Sequence, residues 1–123
     1  SISVGLYLSL PHGDKGNRYP RHVALAPGVE LPHTSPLHKE IVVQGWTEPV
    51  EMYAADGQEV WAHQTILPAY IEPQVGEIRV PFSELGVELG DSIGVSLIAS
   101  RDQVIFEILP SSGEEMFTLS DFR

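Results

Sequence analysis

The sequence predicts an all-β fold, an antiparallel two-sheet β-sandwich of the jelly-roll or immunoglobulin-like kind, and three observations carry that expectation. Apolar and polar residues alternate at period two in several short runs, most cleanly at Ile2, Val4, Leu6, Leu8 and Leu10. The 11 glycines and 10 prolines fall largely between those runs. They place turn signals at about the 8–12-residue spacing of sandwich and barrel domains. No helical period survives beyond one turn, so roughly eight or nine short strands are expected.

Taken in order, Ser1–Leu10 reads as a half-buried strand with Tyr7 on its polar side, broken by Pro11-His12-Gly13-Asp14-Lys15-Gly16-Asn17. Arg21–Ala26 is a short strand with Val23 and Leu25 inward, and the prolines of Pro27–Pro36 make an irregular loop. Lys39–Trp46 is rich in β-formers, and Val50–Ala54 places Val50, Met52 and Ala54 on one side. Asp56-Gly57 supplies the positive φ angles of a tight primed turn, and Glu59–Leu67 returns from it. Gly76–Phe82 is a strand in which Pro81 marks an edge position or the strand end. Ser83-Glu84-Leu85-Gly86 is one helical turn, capped by Ser83 and ended by Gly86. Asp91–Ser100 alternates again, turns at Arg101-Asp102, and returns as Val104–Leu109, with a last strand at Met116–Leu119.

Residues 1–123 make one domain of common size, able to bury a core without staples. Its opening in mid-alternation, without Met, is that of a module cut from a longer chain. There is no cysteine, hence no disulfide, thiolate nucleophile or thiolate metal site. Seven Lys and Arg against 17 Asp and Glu give a formal charge of −10. That balance disfavours nucleic acid and anionic membrane surfaces, because both need clustered cations. No apolar run approaches the roughly 20 residues of a membrane-spanning helix. Nothing in the sequence fixes a compartment.

Catalytic motifs are missing: there is no G-x-S-x-G, no S-x-x-K and no phosphate-cradling glycine loop. Glu51, Glu59, Glu77 and Glu107 could form a carboxylate pair only if brought roughly 5–9.5 Å apart across a cleft. Strand phase places most of them outward and sets Glu107 beside Ile105 and Leu109, where it would need Arg79 or Arg101 as partner. His33 and His38, five residues apart, lack zinc-site spacing, so no metal site is assigned. Asp14–Asn17 offers hard oxygen ligands of the kind a structural calcium takes; otherwise no cofactor is expected. Trp61, Tyr53, Trp46 and Tyr7 are the candidate ligand contacts, since a flat aromatic ring stacks on the C–H face of a sugar.

The run E-I-R-V-P-F-S-E-L-G, then G-D-S-I, then F-E-I-L-P-S-S-G between Glu77 and Gly113 resembles the end of carbohydrate-binding-like, DOMON-type β-sandwich domains. More narrowly, it resembles the C-terminal module of family-57 glycoside hydrolases of the amylase and pullulanase type. The opening V-G-L-Y-L-S-L is compatible with the first strands of such a module. The resemblance implies a non-catalytic accessory module that binds α-glucan weakly or packs against a neighbouring catalytic domain. It carries no binding residue over to this chain. Two alternatives stand beside it. One is a purely structural or protein-interaction β-sandwich. The other is a DOMON-type module holding haem between Met52 or Met116 and His22 or His63.

Overall fold

The computed structural model describes residues 2–33 and 35–120. They form ten strands and one helical turn: β1 Ile2–Ser9, β2 Ala24–Leu25, β3 Lys39–Gln44, β4 Val50–Ala55, β5 Trp61–Leu67, β6 Ala69–Ile71, β7 Gly76–Ile78, α1 Phe82–Leu85, β8 Ser92–Arg101, β9 Val104–Leu109 and β10 Glu115–Thr118. Eight strands make one sheet in the order β2-β9-β8-β1-β3-β4-β5, with β10 also on β8. β6 and β7 form a separate two-stranded hairpin. The fold is therefore mostly β, as expected, but it has one large sheet and one small hairpin.

The expectation of purely antiparallel pairing is corrected. β2 runs parallel to β9, through Ala24–Val104 and Leu25–Ile105. The cause is the long segment between β1 and β3, which crosses one sheet face and lays two residues along the far edge. Val23 and Leu25, expected inward, are exposed, because a two-residue edge strand offers nothing to pack beneath.

Register separates the core into two layers. β1 pairs Leu6 with Ile41 and Leu97, and Tyr7 with Glu40 and Ser96, so alternate positions of β1, β3 and β8 point to opposite faces. The first face carries Leu8, Ile41, Val43, Val50 and Met52, roofed by Ile71, Ile78, Leu85 and Val87. Val50 and Met52 are wholly buried. Burial of such side chains stabilises by roughly 1.5–3 kcal/mol each. The second face carries Tyr7, Ile98, Ile105 and Ile108, roofed by Val29, Leu31 and Leu37 of the covering segment.

Several turns depart from their expected form. Asp56-Gly57 does not close a two-residue turn. Asp56 Oδ1 accepts from the backbone of Gln58 (2.7 Å) and Val60 (3.1 Å), which opens a longer loop before β5. The two-residue primed turn occurs instead at Asp102-Gln103, with φ of 51° and 70°. α1 begins after Pro81 with no side-chain cap, so Ser83 does not cap it, whereas Gly86 ends it in the left-handed region as expected. A bulge opposite Ala99 and Ser100 puts both Ile105 and Ile108 on the second face. Glu107 is thereby turned to the exposed side, away from Ile105, and needs no buried partner.

Candidate functional site

Three of the four aromatic candidates meet on the second sheet face. Trp61 packs edge-on against Tyr7 at 5.5 Å, and its indole N–H donates to the Tyr19 carbonyl at 3.1 Å. Tyr53 sits beside His63 at 5.5 Å, because β4 and β5 pair these two residues. The Arg21 guanidinium lies 4.4 Å from the Tyr53 ring centre. Tyr7 is 3% exposed. Tyr7 is thus a packing element, whereas Trp61 and Tyr53 are half-buried.

Beneath them lies a buried polar network. The Tyr7 hydroxyl donates to Glu40 Oε2 at 2.6 Å and accepts from the Arg21 backbone N–H at 3.1 Å. Arg21 Nε donates to Glu40 Oε1 at 2.6 Å. Burial pushes the Tyr7 pKa up, and the Glu40 charge adds to it, so the phenol is a fixed donor. Burial works against the Arg21 charge, but Glu40 more than offsets this and leaves its pKa raised. Glu40 thus accepts from two donors, the Tyr7 hydroxyl and Arg21 Nε. This arrangement is a structural pair and presents no free acid or base.

Trp46, the fourth candidate, stands apart. It follows β3 with a φ of 52° and is 45% exposed. Its indole N–H donates to the Glu72 carbonyl at 2.6 Å, in the turn joining β6 to β7. The ring lies over Gly76, where a Cβ would come within 3.1 Å of it. Tyr70 of β6 is 58% exposed, and its hydroxyl donates to Glu72 Oε2 at 2.9 Å. Glu77 lies directly across the hairpin from Tyr70. Tyr70, Glu77, Arg79, Pro68 and Ala69 line a depression of about 170 Å³. The sequence reading places no strand between Leu67 and Gly76, so Tyr70 is not among its candidates. The Tyr70…Glu77 pairing across Pro73 was the signal available.

The remaining groups are engaged structurally. Asn17 is fully buried; its Oδ1 accepts from Gly57 (3.0 Å) and Glu59 (3.1 Å), and its Nδ2 donates to the Val60 carbonyl (2.8 Å). It is therefore not a calcium ligand in waiting. Glu59 accepts from the backbone of Arg18 and Tyr19, and Glu51 lies 3.6 Å from His63. His38 Nδ1 accepts from the Leu10 N–H at 2.8 Å and its Nε2 donates to the Gly13 carbonyl at 3.2 Å. His33 Nε2 lies 2.8 Å from Ser96 Oγ, and Ser96 is buried beneath it. Among the described residues no three His, Asp or Glu side chains group as metal ligands. Met52 and His63 face opposite sides of the sheet, which separates one haem ligand pair.

Compared with known proteins, the chain matches no family model, no curated protein and no solved structure. Among the described residues, no helix is long and apolar enough to cross a membrane.

Proposed function

We propose that the chain is a non-catalytic accessory module that binds polysaccharide of the α-glucan class through Trp46 and Tyr70. In this reading the fold is a variant sandwich, with β6, β7 and the segment through Val87 serving as the second layer over the large sheet. One observation carries the proposal: two exposed aromatic rings are fastened to the same residue, Glu72. Pre-fixed rings lose little freedom on binding, and a sugar ring stacks on a flat apolar face. Glu77 and Arg79 beside Tyr70 supply an acceptor and a donor for hydroxyl groups. Affinity electrophoresis in starch, glycogen and pullulan gels tests the proposal. Retardation that disappears in Trp46→Ala/Tyr70→Ala is expected; unaltered mobility of the wild type in all three gels rejects it.

A second reading has its own observation. On the first face Leu109 pairs beside Leu97, and Phe117 beside Ile93. Leu109 and Phe117 are 50% and 52% exposed. An apolar strip of this kind suits a contact with a neighbouring catalytic domain. A photo-crosslinker at Phe117 in the parent polypeptide would capture a residue outside 1–123 if the strip is such a contact; crosslinks confined to 1–123 would reject it.

A further inference from the structure

The Asp56-Gly57 step belongs to no binding surface described above, yet it carries a chemistry of its own. Glycine has no side chain to shield its nitrogen, which can attack the carboxyl carbon of a preceding aspartate. Gly57 N then bonds to Asp56 Cγ, the amide proton and one carboxyl oxygen depart as water, and a five-membered succinimide forms. Water reopens that ring at the Asp56 main-chain carbonyl. The chain afterwards runs through the Asp56 side chain as isoaspartate, one methylene longer in its main chain and unchanged in mass. No oxidant or co-reactant is needed. Both residues are exposed, so water reaches them.

Bonding is what stands in the way. Gly57 N, the attacking atom, donates to Asn17 Oδ1 at 3.0 Å. The Asp56 carboxyl is turned toward residues 58 and 60, where its Oδ1 accepts from the N–H groups of Gln58 and Val60. Asn17 also accepts from the Glu59 N–H at 3.1 Å and donates to the Val60 carbonyl at 2.8 Å. Glu59 has a φ of 65°, a conformation that a glutamate keeps only where its contacts impose it. Asn17 itself is wholly buried and tied to Leu37 by two main-chain bonds of 2.8 Å. It therefore fixes the nucleophilic nitrogen and the loop around it at once. An added methylene at 56 would displace the Gly57 and Glu59 N–H groups from an acceptor that the core holds in place.

We infer that Asp56-Gly57 is a latent isomerisation site that Asn17 holds closed, and that isoaspartate at 56 leaves the loop unable to re-form its bonds to Asn17.

Incubating the whole chain beside the free peptide 52–59 at 37 °C and pH 6 tests this. Cleavage after Glu51 and Glu59 frees the same peptide from the chain, and chromatography separates its two isomers. In the folded chain the reaction waits on local opening, so isoaspartate should form at least about tenfold more slowly than in the peptide. Asn17→Ala should raise the rate at Asp56 at least about fivefold, through the bonds it removes. The Asp91-Ser92 and Asp102-Gln103 steps of that variant serve as references and should stay at the wild-type rate. Wild-type chain enriched in isoaspartate should lose hydrogen-exchange protection at the Gly57 and Glu59 amides while β1 and β8 keep theirs. A wild-type rate equal to the peptide's, or an Asn17→Ala rate equal to the wild type's, would overturn the inference. So would a rise at Asp91 and Asp102 together with Asp56, which is global unfolding, or full amide protection in the isoaspartate form.

Discussion

Trp46 and Tyr70 are 24 residues apart in sequence, yet both end on Glu72, the first through its carbonyl and the second through its carboxylate. The two bonds answer to different substitutions. Glu72→Gln keeps the carbonyl and a side-chain acceptor, so polysaccharide retention should persist. Glu72→Ala frees Tyr70 alone and should weaken retention less than Tyr70→Ala does. An aromatic contact is worth about 0.5–1.5 kcal/mol beyond its buried area, so each ring lost should cost up to about tenfold in affinity. Retardation in affinity gels across the three variants checks this order.

Asn17 is the residue on which the β4–β5 loop depends. Asn17→Ala leaves the Gly57 and Glu59 N–H groups and the Val60 carbonyl without their side-chain partner. The Val60 carbonyl keeps the Asp56 N–H and the bonds are part-buried, so a loss of about 1–3 kcal/mol is expected, visible as a lower urea midpoint at unchanged slope. Asn17→Asp should be no milder. It keeps the two acceptor bonds but turns an oxygen toward the Val60 carbonyl.

His38 gives the fold a pH dependence with a definite sign. Its Nδ1 accepts from Leu10, so protonation would set one N–H against another. Burial lowers its folded pKa below the unfolded value of about 6.5. The unfolded state then binds more protons, so stability falls as pH drops below about 6.5 and is fully present above it. His33, also lowered by burial, acts in the same direction. Urea midpoints at pH 7.5 and 5.5 should differ, and His38→Asn, which can accept the Leu10 N–H without titrating, should narrow the difference. An unchanged gap would assign the effect to His33 and His22, whose pKa values burial also lowers.

Glu107 shows where sequence reasoning reaches and where it stops. Strand phase read forward from Val104 makes it a buried acid, but the bulge at Phe106 resets the phase and exposes it. A bulge is one inserted residue, and no residue type in V-I-F-E-I-L marks it. Glu107→Ala should therefore lie within about 0.5 kcal/mol of wild type by urea denaturation. The β1, β3, β4 and β8 strands were legible because alternation encodes two faces directly. β2 was legible as a strand within Arg21–Ala26, but its place was not, because that is set by parallel pairing with β9 across most of the chain. Aromatic candidates were legible as residue types only. Whether Trp61 is a platform or a packing element depends on what Tyr7 and Tyr19 bring to it, and those contacts are long-range.

The Tyr7–Glu40–Arg21 network sets the last expectation. Tyr7→Phe removes one donor to Glu40 and one acceptor for the Arg21 N–H while Arg21 Nε still neutralises the carboxylate. It should cost about 1–3 kcal/mol. Arg21→Ala leaves the Glu40 charge buried with only a phenol beside it, and removes the cover of the Tyr53 ring. Breaking one partner of a buried pair costs about 3–5 kcal/mol, so Arg21→Ala should be the more destabilising change. Removing both charges in Arg21→Met/Glu40→Met spares the chain an unpaired buried ion. That double variant should unfold at higher urea than Arg21→Ala alone, although it lacks more of the native bonds. A double variant no more stable than Arg21→Ala would mean that the network stabilises through geometry the apolar pair cannot reproduce, and that charge pairing is secondary.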